Sequence, residues 1–73
     1  MGQFKLEQEV LLRVLRAHGF RVIRQRGSHE QWEGVVDGRR RVVTVDLSYP
    51  ELFGFVLASI IKQSGLPKSA FKK

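Results

Sequence analysis

Two turn signals in series constrain this chain more than any other feature. Gly27-Ser28 and Asp37-Gly38 stand ten residues apart, and each lies between segments with strand character. Glycine-containing pairs in that setting make tight connections between antiparallel strands. Before the first turn, Phe20 to Arg26 is β-branched and alternating. After it, His29 to Glu33 can form a second strand. Gly34 to Gly38 reads as a connection ending in Asp-Gly. Arg39 to Asp46 (RRRVVTVD) is the third strand and the best defined of the three. Two hairpins in series make an antiparallel meander. A sheet of that size is stable only if something covers one face of it.

The flanking segments supply that cover. Leu6, Val10, Leu11, Val14, Leu15 and His18 fall on one helical stripe. Glu7 and Glu9 come early in it, and Arg13 and Arg16 come late, as the helix dipole prefers. With Gly19 as the stop, the spacing predicts a helix over Lys5 to His18. From Glu51 the helical period returns through Leu52, Phe53, Val56, Leu57, Ile60 and Ile61, and Gly65 and Pro67 punctuate its end. Pro67 to Phe71 reads as a short extra turn. The fold class is therefore α+β, in the order α-β-β-β-α: a three-stranded antiparallel sheet with two helices on one face and the other face wet. The 73 residues make one domain over residues 1–73. Its core is small, so a functional site belongs on the surface and not in a deep cavity.

Composition narrows the chemistry. The chain has no cysteine, which removes disulfides, thiolate metal sites and cysteine nucleophiles together. The two histidines and seven carboxylates show no metal-ligand spacing, and no glycine-rich phosphate loop is present. No metal or other cofactor is expected. No apolar run reaches the ~20 residues of a membrane span, and the start of the chain lacks the layout of a secretion signal. A cytoplasmic protein without a membrane partner is the expectation. The formal charge of +6 points to a polyanion. Eight of the 13 basic residues are arginines, and six of those lie between Arg21 and Arg41. The guanidinium fork suits phosphate better than an ammonium does.

The basic segment also frames one histidine. In Arg24-Gln25-Arg26-Gly27-Ser28-His29-Glu30, His29 follows the turn directly. It is either an ordinary surface residue of a strand or a proton-transfer group with phosphate-binding arginines beside it. Candidates for holding a nucleic acid are Arg24, Arg26, Ser28, Arg39, Arg41 and Tyr49. Ser28 has the plainer role of shaping the turn, and Tyr49 could stack on a base. Residues 39 to 41 alternate sides of a strand, so no more than two of those arginines can face one ligand. Trp32 reads as a core anchor, and His18 reads as a cap at a helix end.

Taken together, the helix, the strand ending in Arg-Gln-Arg-Gly-Ser-His, the Asp-Gly hairpin, the Arg-Arg-Val-Val-Thr-Val strand and the closing Ile-Ile-Lys-Gln-Ser-Gly-Leu resemble the HicA toxins of bacterial toxin–antitoxin systems. The resemblance covers about Leu6 to Phe71. It implies a fold similar to double-stranded-RNA-binding domains, endoribonuclease activity on mRNA, and inhibition by a HicB-like antitoxin. It also implies that His29 matches the family's catalytic histidine. Cleavage of RNA without a metal needs only a base for the 2′-hydroxyl, an acid for the leaving oxygen and cations at the phosphate. Two other readings keep the same basic face: an RNA-binding module without catalysis, and a degenerate toxin retained as a partner for its antitoxin.

Overall fold

The computed structural model describes residues 4–72. Its main sheet is the expected meander. Strands β2 (Arg21–Arg26), β3 (His29–Val36) and β4 (Arg39–Asp46) are antiparallel, in the order β2-β3-β4. Asp37 and Gly38 both take positive φ, 52° and 77°, as a two-residue hairpin turn of matching twist requires. The β3–β4 register runs unbroken from Val36↔Arg39 to His29↔Asp46. The β2–β3 register holds from Arg26↔His29 to Arg24↔Gln31 and then shifts, with Val22 opposite Trp32 and Arg21 opposite Glu33. Ile23 is the extra residue of a β-bulge. As a result Arg21, Arg24 and Arg26 all pair with residues of one face of β3, namely Glu33, Gln31 and His29.

The other face of the sheet carries the core. Trp32, Val43 and Val45 are buried against Leu11, Val14 and Leu15 of α1 (Gln8–Ala17) and against Leu57 and Ile60 of α2 (Gly54–Ser64). Both helices thus lie on one side. Trp32, 2% exposed, is the core anchor the sequence suggested. Its indole N–H donates to Glu30 Oε1 at 3.1 Å. The Arg16 guanidinium lies 5.5 Å from the centre of its ring. Phe71, from the final 3-10 turn Lys68–Phe71, is fully buried and closes the core.

Three boundaries differ from the sequence reading. First, α1 begins at Gln8 because Lys5–Glu7 forms a strand, β1, antiparallel to β5 (Glu51–Phe53). Leu6 and Leu52 face each other across that pair and are both buried, so Leu6 joins the core from a strand and not from a helix. Gln8 continues the link: its backbone N–H donates to the Pro50 carbonyl, and its side-chain amide donates to the carbonyls of Leu47 and Tyr49. Second, α2 begins at Gly54 and not at Glu51. Gly54 has φ 56°, a conformation that lets strand turn into helix over a single residue. Phe53 consequently ends a strand and is half exposed. Third, β3 runs through Gly34 to Val36. A Cβ on Gly34 would lie 2.7 Å from the Phe20 ring. Glycine is therefore present to admit an aromatic side chain, not to make a turn.

The helix ends match the sequence reading. His18 caps α1: its backbone N–H reaches the Val14 and Leu15 carbonyls, and its Nδ1 lies 2.9 Å from the Val14 carbonyl. Gly65, with φ 73°, ends α2.

Candidate active site

The uncovered face of the sheet holds the site. His29 opens β3, where Arg26 is its partner on β2 and Asp46 its partner on β4. Two residues on, Gln31 is flanked in the same way by Arg24 and Thr44. Cross-strand partners share a face, so these six side chains form two adjacent rows. Five of them, Arg24, Arg26, His29, Gln31 and Thr44, line one surface pocket of about 250 Å³. The His29 side chain is 60% exposed, which leaves its ring open to a ligand. Edge strand β4 is steadied at this point by Gln63 of α2, whose Oε1 accepts from the Thr44 backbone N–H at 3.1 Å.

Asp46 supplies the negative charge of the site. Its Oδ1 accepts three hydrogen bonds: from the Ser48 hydroxyl at 2.7 Å, the Ser28 hydroxyl at 2.9 Å and the Ser48 backbone N–H at 3.0 Å. Its Oδ2 lies 3.5 Å from His29 Nε2, the distance of an ion pair when the imidazole is protonated. These donors stabilise the carboxylate. The Ser48 hydroxyl contributes most, followed by the Ser48 N–H and the Ser28 hydroxyl. Together they hold the Asp46 pKa at about 2, below the ordinary 3.8, against partial desolvation. The turn before His29 is fastened to the same place, since the Ser28 carbonyl accepts from the Leu47 N–H at 2.7 Å.

Of the residues singled out in the sequence, the structure gathers Arg24, Arg26 and His29 in one pocket. Ser28 borders it, with its hydroxyl committed to Asp46. Arg39 and Arg41 stand elsewhere. They alternate with Arg40 toward the helix-covered face, where the Arg41 side chain crowds Gly65. Arg39 is also seven residues along β4 from Asp46, roughly 24 Å at strand rise. Arg40, on the uncovered face, is ion-paired with Glu33. Tyr49 is half exposed in the loop beyond β4, and its N–H donates to the Asp46 carbonyl at 3.3 Å.

Gln31, Thr44 and Asp46 were missed from the sequence, although a signal for all three exists. His29 lies eight residues before Asp37, and Asp46 lies eight residues after Gly38. A two-residue turn at Asp37-Gly38 therefore places those two opposite each other, with Gln31 opposite Thr44. The β2 bulge gives no comparable signal.

Among the described residues, no three His, Asp or Glu side chains come together as a metal site, and no helix is long and apolar enough to cross a membrane. No curated protein and no solved structure gives a significant match to the chain. A family model does: the one described as HicA toxin of bacterial toxin-antitoxin matches residues 9–66. That span runs from the start of α1 to just past the end of α2 and includes the Gly-Ser-His turn, the whole meander and Asp46. By this match the chain belongs to the HicA toxin family of bacterial toxin–antitoxin systems.

Proposed function

We infer that this toxin is a metal-independent endoribonuclease that cuts mRNA in the cytoplasm, with His29 as its proton-transfer residue, and that a HicB-like antitoxin restrains it. One observation carries the reading: an exposed imidazole shares a pocket on the uncovered sheet face with Arg24 and Arg26. Histidine is the side chain suited to take and give a proton near neutrality. Two guanidinium groups beside it can hold a phosphate and offset the charge that builds as the phosphorus becomes five-coordinate.

The chemistry balances with groups from this chain and the RNA alone. The imidazole takes the proton of a ribose 2′-hydroxyl. That oxygen forms a bond to the adjacent phosphorus, the bond from phosphorus to the 5′-oxygen breaks, and the imidazolium returns its proton to the departing oxygen. The products are a 2′,3′-cyclic phosphate and a 5′-hydroxyl. A pocket open on one side of a sheet suits a flexible single strand, whose sugar can turn to bring its 2′-oxygen in line. An antitoxin with an acidic face fits the same basic surface. The test is incubation of the purified chain with a transcribed mRNA, with the product ends identified. Cyclic-phosphate ends made by the parent and absent with His29→Ala support the reading. Equal cutting by both overturns it.

A further inference from the structure

We propose that Asp46 is a positioning residue for His29: its Oδ2 accepts a hydrogen bond from the His29 Nε2–H and so turns Nδ1 toward the RNA. The inference rests on His29 being the proton-transfer group. It comes from the way the Asp46 carboxylate is divided. All three of its hydrogen-bond donors, the Ser28 hydroxyl and the Ser48 hydroxyl and N–H, meet Oδ1. Oδ2 accepts from none of them and faces the imidazole at 3.5 Å. Strand pairing places the two residues directly opposite, while Ser28 and Ser48 anchor the carboxylate from the turn before β3 and the loop after β4. The separation is about 0.5 Å longer than an ordinary N–H···O bond. A small rotation of the exposed imidazole closes it, and contacts of this kind tighten when substrate binds.

The consequence is chemical. An imidazole that donates from Nε2 keeps its lone pair on Nδ1, which becomes the base for the 2′-hydroxyl. Once protonated, the ring carries its charge next to a fixed carboxylate. A base oriented by a third group is the arrangement in which nucleophile-activating histidines work elsewhere. Asp46 touches neither phosphate nor sugar in this scheme. Its negative charge works slightly against RNA binding, so its contribution is to turnover and not to affinity.

The test compares parent, Asp46→Asn, Asp46→Glu, His29→Ala and the His29→Ala/Asp46→Asn double variant on one transcribed mRNA. It also follows the His29 ring nitrogens by NMR without RNA. Asn keeps a carbonyl oxygen for Ser28 and Ser48, so the local fold stands. The expected result for Asp46→Asn is a kcat at least ten-fold lower, about 1.4 kcal/mol of barrier, with RNA affinity equal or tighter. Asp46→Glu recovers part of the loss. The double variant is no slower than His29→Ala alone, as coupling through one residue requires. In NMR, the ring-nitrogen shifts of His29 show the neutral ring favouring the tautomer with hydrogen on Nε2 in the parent, and that preference shrinks in Asp46→Asn. A kcat for Asp46→Asn within two-fold of the parent, or a His29 signal that does not change, overturns the proposal. Equal cleavage by parent and His29→Ala sinks the catalytic reading instead, and the NMR comparison still decides whether Asp46 orients the ring.

Discussion

His29 Nε2 and Asp46 Oδ2 stand 3.5 Å apart across the rung of the β3–β4 hairpin farthest from its turn. The pairing joins the first residue of one strand to the last residue of the next. It therefore joins the two loops as well, because Ser28 and Ser48 bond the same carboxylate. One acidic side chain both closes that end of the sheet and faces the candidate base.

Stability in acid follows from those bonds. The Asp46 pKa is depressed on folding, from 3.8 to about 2. Its contribution is therefore present in full above the unfolded value and is lost as pH falls through the folded one. Asp46→Asn lacks the charge at every pH. The difference in thermal midpoint between parent and Asp46→Asn is expected to hold from neutrality to roughly the unfolded pKa and to close between 3.8 and about 2. Midpoints followed by circular dichroism across that window check it. A difference that persists unchanged at the acid end would show that the carboxylate's charge is not what stabilises the loops.

Much of this architecture was legible in local sequence. The helix stripe around Leu11, Val14 and Leu15, the Asp37-Gly38 turn and the limits of β4 each depend on neighbours within a few residues. β1 and β5 were not legible. Lys5–Glu7 and Glu51–Phe53 are three-residue strands that exist only because each has the other, and their apolar residues fit the helical period of the segments that follow. In the site, the arginines and His29 stood out by residue type. Asp46 did not, because its meaning lies in register and not in spacing along the chain. Arg39 and Arg41 show the same limit: their charge was visible in sequence, but the face of the sheet they occupy was not.

Gly34→Ala tests the close approach of Phe20. The added Cβ would fall 2.7 Å from the base of the ring, which cannot swing away like the tip of a long side chain. Overpacking of this kind costs ~1–3 kcal/mol. In a domain of this size each kcal/mol lowers the melting temperature by roughly 4–8 °C. Calorimetry of parent and variant checks it, and an unchanged midpoint would contradict the packing described.

RNA binding should weaken as salt rises, since each phosphate neutralised by arginine releases counterions. For a single strand the slope of log affinity against log salt is about 0.7 per phosphate contact, so Arg24→Gln with Arg26→Gln should reduce it by roughly 1.4. Arg39→Gln, at the far end of β4, should change it much less. Fluorescence anisotropy with a labelled RNA over a salt series measures both. Equal slopes in parent and double variant would remove those arginines from the interface.

Cleavage should continue in EDTA. In the proposed scheme the imidazole and guanidinium groups supply proton transfer and charge neutralisation without a bound cation. The rate with chelator should stay within about two-fold of the rate without it, roughly 0.4 kcal/mol of barrier. Loss of activity that magnesium restores would place a metal in the reaction and overturn the scheme given for His29.

His29→Ala separates catalysis from binding. The side chain is 60% exposed, and Asp46 keeps all three Oδ1 donors when the imidazole is gone. Stability should therefore change by no more than about 0.5 kcal/mol, as at other surface positions. Arg24 and Arg26 remain, so RNA affinity should stay within about three-fold of the parent, roughly 0.65 kcal/mol. Cleavage and toxicity to the host cell should both disappear, because the other side chains of the pocket, Arg24, Arg26, Gln31 and Thr44, include no imidazole or carboxylate to serve as a general base. Melting curves, anisotropy titrations and a growth assay with the induced gene read the three quantities independently. A variant that folds, binds RNA and still arrests growth would move the catalytic centre away from the Gly27-Ser28 turn.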